Sequence, residues 1–192
     1  MLEVEEQWRQ FLKGDMEAFE KVLNIHFKDL FYYGSKFSKN QEFVKDAIQD
    51  LFLNLWEKRG NLSDDIPVKA YLMASLRRIM HRSALVQTKI PGIPLEANSQ
   101  VFEVELSIEH KWIEQESTEQ RAQKIKTSIE ELPARQKEVI YLKYFQELNR
   151  SQISEIMGVS PQTVSNLLQI ALGQLKKHFK VEFLTFFFFY FQ

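Results

Sequence analysis

An all-α fold of two small helical domains joined by a linker, the C-terminal one a helix-turn-helix, is predicted by three features of the sequence. Apolar residues recur at three-and-four spacing through most of the chain. Helix breakers gather in one central stretch. Two short helical segments meet across a Gly-Val-Ser turn near the C-terminal end. The 192 residues are 44% hydrophobic and 27% charged, enough to bury one substantial core or two small ones and too polar for a membrane protein.

Formal net charge is -1, with an acidic middle and a mildly basic end, so any nucleic-acid surface must be local. Cysteine is absent, which excludes disulfide scaffolds, thiolate zinc sites and cysteine nucleophiles. His26, His81, His110 and His178 lack metal-ligand spacing, so neither a metal nor a cofactor is expected. The opening MLEVEEQWRQ is acidic and amphipathic, without the basic flank and apolar run of a secretory signal. A cytoplasmic protein is the expectation.

Residues 1–85 predict the first domain. One helix carries Phe19, Val22, Leu23, Phe27, Leu30 and Phe37, and a second carries Val44, Ala47, Ile48, Leu51, Phe52, Leu55 and Trp56 on a wide stripe. A polar loop over residues 58–66 follows. Pro67 suits the first turn of a third helix, on which Leu72, Ser75, Leu76 and Ile79 face one way and Arg77, Arg78 and Arg82 face more polar ground. Residues 86–119 predict an acidic linker, because Pro91, Gly92 and Pro94 interrupt the periodicity and glutamates replace the aromatics.

Residues 120–180 predict the second domain, with Ile125, Ile129 and Leu132 before Pro133 and a helix through Val139, Ile140, Leu142 and Tyr144 after it. Residues 181–192 form a phenylalanine-rich tail. As a helix, residues 181–191 span about 16 Å against a hydrocarbon core of about 30 Å, so no stable membrane insertion is expected. It is expected to pack on the second domain or to cap a partner surface, with a disordered end as the alternative.

The most informative stretch is NRSQISEIMGVSPQTVSNLLQIALGQL, residues 149–175. Asn149 can cap a helix with Gln152 reaching back to it, Gly158 supplies the left-handed residue that ends that helix, and Ser160 caps again with Pro161 at the first helical position. On the second helix Val164, Leu168, Ala171 and Leu175 fall on one side, and Gln162, Asn166 and Gln169 on the other. Asn and Gln can pair bidentately with adenine edges in the major groove, which points to DNA reading. Lys176 and Lys177 fit phosphate contact, and equally fit the negative end of a helix dipole.

With these residues in view, residues 132–177 resemble the -35-binding domain of sigma-70-family sigma factors, through the LPxRQ opening, the YLKYF run, the IxEIMG turn and the TVxNLLxxAL helix. The first domain resembles the same family's -10-binding and core-binding domain, through DMEAFEKVL, DAIQDLFLNLWEKR and KAYLMASLRR. The ordered pair resembles the short, extracytoplasmic-function (ECF) group.

The resemblance implies a non-enzymatic function in transcription initiation, with RNA polymerase core enzyme and promoter DNA as partners, an anti-sigma factor as a further partner, and no small-molecule substrate. It places Asp46, Gln49, Asp50, Phe52 and Trp56 on the helix that docks on polymerase, although Phe52 and Trp56 also lie on the core stripe. It implies -10 contacts from Asn61 and Ser63 in the loop and from Arg77, Arg78 and Arg82 on the following helix. It implies -35 contacts from Gln162, Thr163, Ser165, Asn166, Gln169, Lys176 and Lys177.

The sequence departs from the family pattern in places. Arg78 and Arg82 stand where Asn and Asp are common, Glu147 where glycine is usual, and Ser165 and Ile170 where arginines are common. Base preferences of relatives therefore do not transfer. The alternative function is a stand-alone helix-turn-helix regulator, which needs a dimer that nothing in the chain resembles. An enzyme on nucleic acid is disfavoured because Asp64 and Asp65, an adjacent acidic pair of the front half, lie in a loop without a supporting histidine.

Overall fold

The computed structural model of the chain describes residues 2–87, 102–103 and 127–178. It separates into two compact units, the first running to residue 98 and the second from residue 99, with residues 154–158 grouped with the first. The described residues are helical, with no strand among them.

The first unit holds α1 (Leu2–Leu12), α2 (Met16–Gly34), α3 (Gln41–Lys58) and α4 (Val68–Gln87). The starts of α2, α3 and α4 have local chemical causes. Gly14, at φ 94°, makes the tight link between α1 and α2 that a side chain would strain. Asp15 then accepts the Ala18 N–H at 3.0 Å, and Asn40 accepts the Phe43 N–H at 3.2 Å. Pro67 lies immediately before α4 and its carbonyl accepts the Tyr71 N–H at 3.0 Å.

The sequence reading has three helices here and the structure has four. The extra one, α1, contributes Trp8 and Phe11, both completely buried. Their rings join an aromatic cluster in which Phe11 lies 5.3 Å from Phe19, and Phe19 lies 5.1 Å from Trp56 and 5.9 Å from Phe52. Tilted and edge-on pairs of this kind add about 0.5–1.5 kcal/mol each beyond the area they bury. An acidic, short segment gives too few apolar positions to reveal this from periodicity alone.

Two smaller readings are corrected. Phe37 lies past the end of α2 and packs edge-on to Tyr33 at 5.1 Å and His81 at 5.4 Å. On α4 the buried set is Val68, Ala70, Leu72, Met73, Ala74, Leu76 and Met80, whereas Ser75 and Ile79 are half-buried. Ser75 turns outward to accept a 2.8 Å hydrogen bond from Arg78.

Between α2 and α4, Lys69 pairs with Asp29 at 2.9 Å. Nearby His26 is buried, and burial pushes its pKa below the usual histidine value, with Lys69 adding to the effect and Asp29 opposing it.

After residue 99 come a helical turn at residues 127–130, then α5 (Ala134–Ile140), a π-helical turn (Tyr141–Phe145), α6 (Arg150–Met157) and α7 (Pro161–His178), all in the second unit except residues 154–158. Helix α5 packs on α7, with Val139 and Ile140 buried on one and Val164, Ala171 and Leu175 on the other. Phe102, from the stretch read as linker, is buried edge-on to Tyr141 at 5.8 Å. Between the π turn and α6, Glu147 takes φ 56°, the left-handed region that suits glycine.

Candidate nucleic-acid interface

Helices α6 and α7 are built by their ends. Asn149 Oδ1 accepts the Gln152 N–H at 3.0 Å while Gln152 Oε1 accepts the Asn149 N–H at 2.9 Å, a reciprocal pair that satisfies two otherwise orphaned donors. Gly158 takes φ 63° and ends α6. Ser160 Oγ accepts the Thr163 N–H at 3.1 Å, and Pro161 opens α7. These local bonds set the helix-turn-helix without reference to distant parts of the chain.

Because α7 buries Val164, Ala171 and Leu175, its opposite face points outward. Gln162, Asn166 and Gln169 are exposed together there, and Gln162 Nε2 donates to Asn166 Oδ1 at 3.0 Å. That bond orients two amides side by side, each retaining donors and acceptors for a base edge. Thr163 and Ser165 are half-buried and locally engaged. The Thr163 hydroxyl lies 2.9 Å from that of Ser160, and Ser165 Oγ donates to the Pro161 carbonyl at 3.1 Å. Leu168, placed by the sequence on the buried stripe, is half-buried. Lys176 is exposed at the C-terminal end, and the Lys177 side chain lies outside the described residues.

In the first unit, Asn61 ends a 3-10 turn (Arg59–Asn61), and both Asn61 and Ser63 are exposed. The loop is fastened from below. Trp8 Nε1 donates to the Ser63 carbonyl at 3.0 Å, and Arg59 lies 4.3 Å over the Trp56 ring while donating to the Trp56 carbonyl at 2.6 Å. Sequence reasoning missed Trp8 as the anchor of this loop, and a lone tryptophan in a polar segment was the available signal. On α4, Arg78 and Arg82 are exposed one turn apart on a common face, whereas Arg77 is half-buried around the helix.

The five α3 residues divide into two sets. Asp46, Gln49 and Asp50 share one exposed face. Phe52 is buried, and Trp56 is half-buried against Phe11 and Phe19. Beside Gln49 a shallow groove of about 350 Å³ runs between α2 and α3, with Leu23, Phe27 and Leu53 among its lining. Leu53 is 56% exposed, out of phase with the buried stripe, which is the sequence signal for this groove.

Among the described residues no group of three or more His, Asp or Glu could hold a metal, and no helix is long and apolar enough to cross a membrane. The tail at residues 181–192, and all of the expected linker except residues 86–87 and 102–103, lie outside the described residues.

Comparison with known proteins places this geometry. Residues 122–175 match the family model described as Sigma-70, region 4. The RNA polymerase sigma-F factor of Priestia megaterium is 37% identical over 54 residues, 28% of this chain and 21% of that relative, so the chain spans about a fifth of that relative's length. CnrH, solved in complex with the cytosolic domain of CnrY, aligns with a TM-score of 0.61 at 16% identity, over 91% of this chain and 96% of that one. The sigma factor RpoE, solved with the anti-sigma factor NepR from Bartonella quintana, aligns with a TM-score of 0.60 at 18% identity, over 86% and 99%. At such identities the two structures are alike in fold.

Proposed function

We propose, from the match of residues 122–175 to the sigma-70 region 4 family model, that the whole chain works as a small sigma factor of the ECF group, binding RNA polymerase core enzyme and directing it to promoter DNA. The observation that carries this reading is the exposed amide face of α7 within that matched segment, opposite the buried Val164, Ala171 and Leu175. In this reading the chain is non-enzymatic and works in the cytoplasm. Gln162, Asn166 and Gln169 read -35 base edges, and Lys176 supplies phosphate contact. Asn61, Ser63, Arg78 and Arg82 are the exposed candidates for the -10 element.

Asp46, Gln49 and Asp50, with the apolar groove next to them, are the surface offered to polymerase. Phe52 and Trp56 support that helix from within. An anti-sigma factor is a further expected partner, a reading supported by the RpoE neighbour having been solved with one.

Titrating the full chain with polymerase core enzyme tests the reading. A one-to-one complex is expected, weakened by Gln49→Ala with Asp50→Arg while helicity is unchanged. A chain that ignores core enzyme and binds duplex DNA as a dimer would instead be a stand-alone regulator.

A further inference from the structure

One residue on the outward side of α7 does not belong to its amide chemistry. Ile170 is 50% exposed in the middle of the helix. A single exposed isoleucine on a protein surface usually needs no explanation. This one lies one residue after Gln169 and one turn after Asn166, about 40° around the helix from Asn166 and about 100° from the nearest buried position, Ala171. It therefore stands at the border of the exposed amide face.

We propose that Ile170 is a specificity-determining residue that recognises thymine through its C5-methyl group in the -35 element. The inference rests on the reading of α7 as the -35 reader and adds a base preference to it. In the major groove thymine alone among the four bases presents a methyl group, and an apolar side chain is its chemical complement. Isoleucine is branched at Cβ and stiff at χ1, so little rotamer freedom is lost when it packs on a methyl group. Ser165, at the other border of the face, has its hydroxyl turned back to the Pro161 carbonyl at 3.1 Å. Asn166 and Ile170 are about 6 Å apart along the axis at 1.5 Å per residue. With base steps of about 3.4 Å, the thymine lies about two base pairs from the base that Asn166 reads.

The test uses the full chain with polymerase core enzyme. A template library randomised over the -35 element first yields the preferred sequence. Each thymine in it is then replaced singly by deoxyuridine, which removes only the methyl group. With the parent chain, one replacement should lower initiation about fourfold, the effect expected from exposing one methyl-sized apolar group. Ile170→Ala should initiate equally from the thymine and uracil templates, and Ile170→Val should keep most of the difference.

The inference is overturned if no single uracil replacement alters initiation by the parent, if the preferred element has no thymine near the Asn166 contact, or if Ile170→Ala keeps the parental ratio. In those cases loss of -35 preference in Asn166→Ala still leaves the proposed function standing. If initiation does not depend on the chain at all, both readings fall.

Discussion

Asn166 and Lys176 are both exposed on α7 and carry different chemistry, an amide and an ammonium. Asn166 Oδ1 accepts a hydrogen bond from Gln162 Nε2, and in the proposed role Asn166 reads one base edge. Its replacement by alanine should cost about 1–3 kcal/mol at one base pair and relax preference there. Lys176→Ala should weaken all sequences alike and flatten the salt dependence. Transcription from templates with intact and scrambled -35 elements, at two salt concentrations, separates the two. A second residue, Glu147, is exposed and left-handed at φ 56°, where a Cβ is disfavoured by about 1–2 kcal/mol. Part of that strain relief is offset by the freer unfolded state of glycine, so Glu147→Gly should raise stability by about 1 kcal/mol, read as a higher urea midpoint. The departure at Glu147 was legible in the sequence only against the family pattern, since an isolated glutamate carries no signal of its φ.

Elements show the same division between local and distant causes. The ends of α6 and α7 were legible because Asn149, Gln152, Gly158 and Ser160 act on neighbours within a few residues. Helix α1 was not, because what holds it is burial of Trp8 and Phe11 against residues far along the chain. The approach of α2 to α3 is likewise a tertiary fact. A Cβ on Gly34 would come within 2.7 Å of Val44 Cγ1 and 3.6 Å of Leu76 Cδ2. Gly34→Ala should therefore destabilise the first unit by about 1–3 kcal/mol, since Val44 is itself fully buried and cannot give way freely. A thermal melt of the variant that matches the parent would show that the helices separate without penalty.

At the scale of the whole molecule, the chain divides into two units that each bury apolar residues, and the apolar periodicity of the sequence points to two helical modules. Their boundary is less regular than composition suggests, because Phe102 sits in the acidic stretch yet is buried on Tyr141. We propose residues 86–119 as the protease-sensitive connection. Limited proteolysis should cut there before it cuts inside the helical units, and first cleavage within α2 or α7 would contradict that division. The sequence could not reveal which aromatic of a weakly periodic segment finds a partner, since that depends on a residue almost forty positions away.

We propose that these two units act together as one promoter-directing factor. The most direct test of this is transcription by polymerase core enzyme over a genomic library, with start sites mapped in the presence and absence of the full chain. Discrete start sites are expected that appear only with the chain, share two upstream elements, and are lost with Gln49→Ala and Asp50→Arg together. Identical transcripts with and without the chain would contradict it.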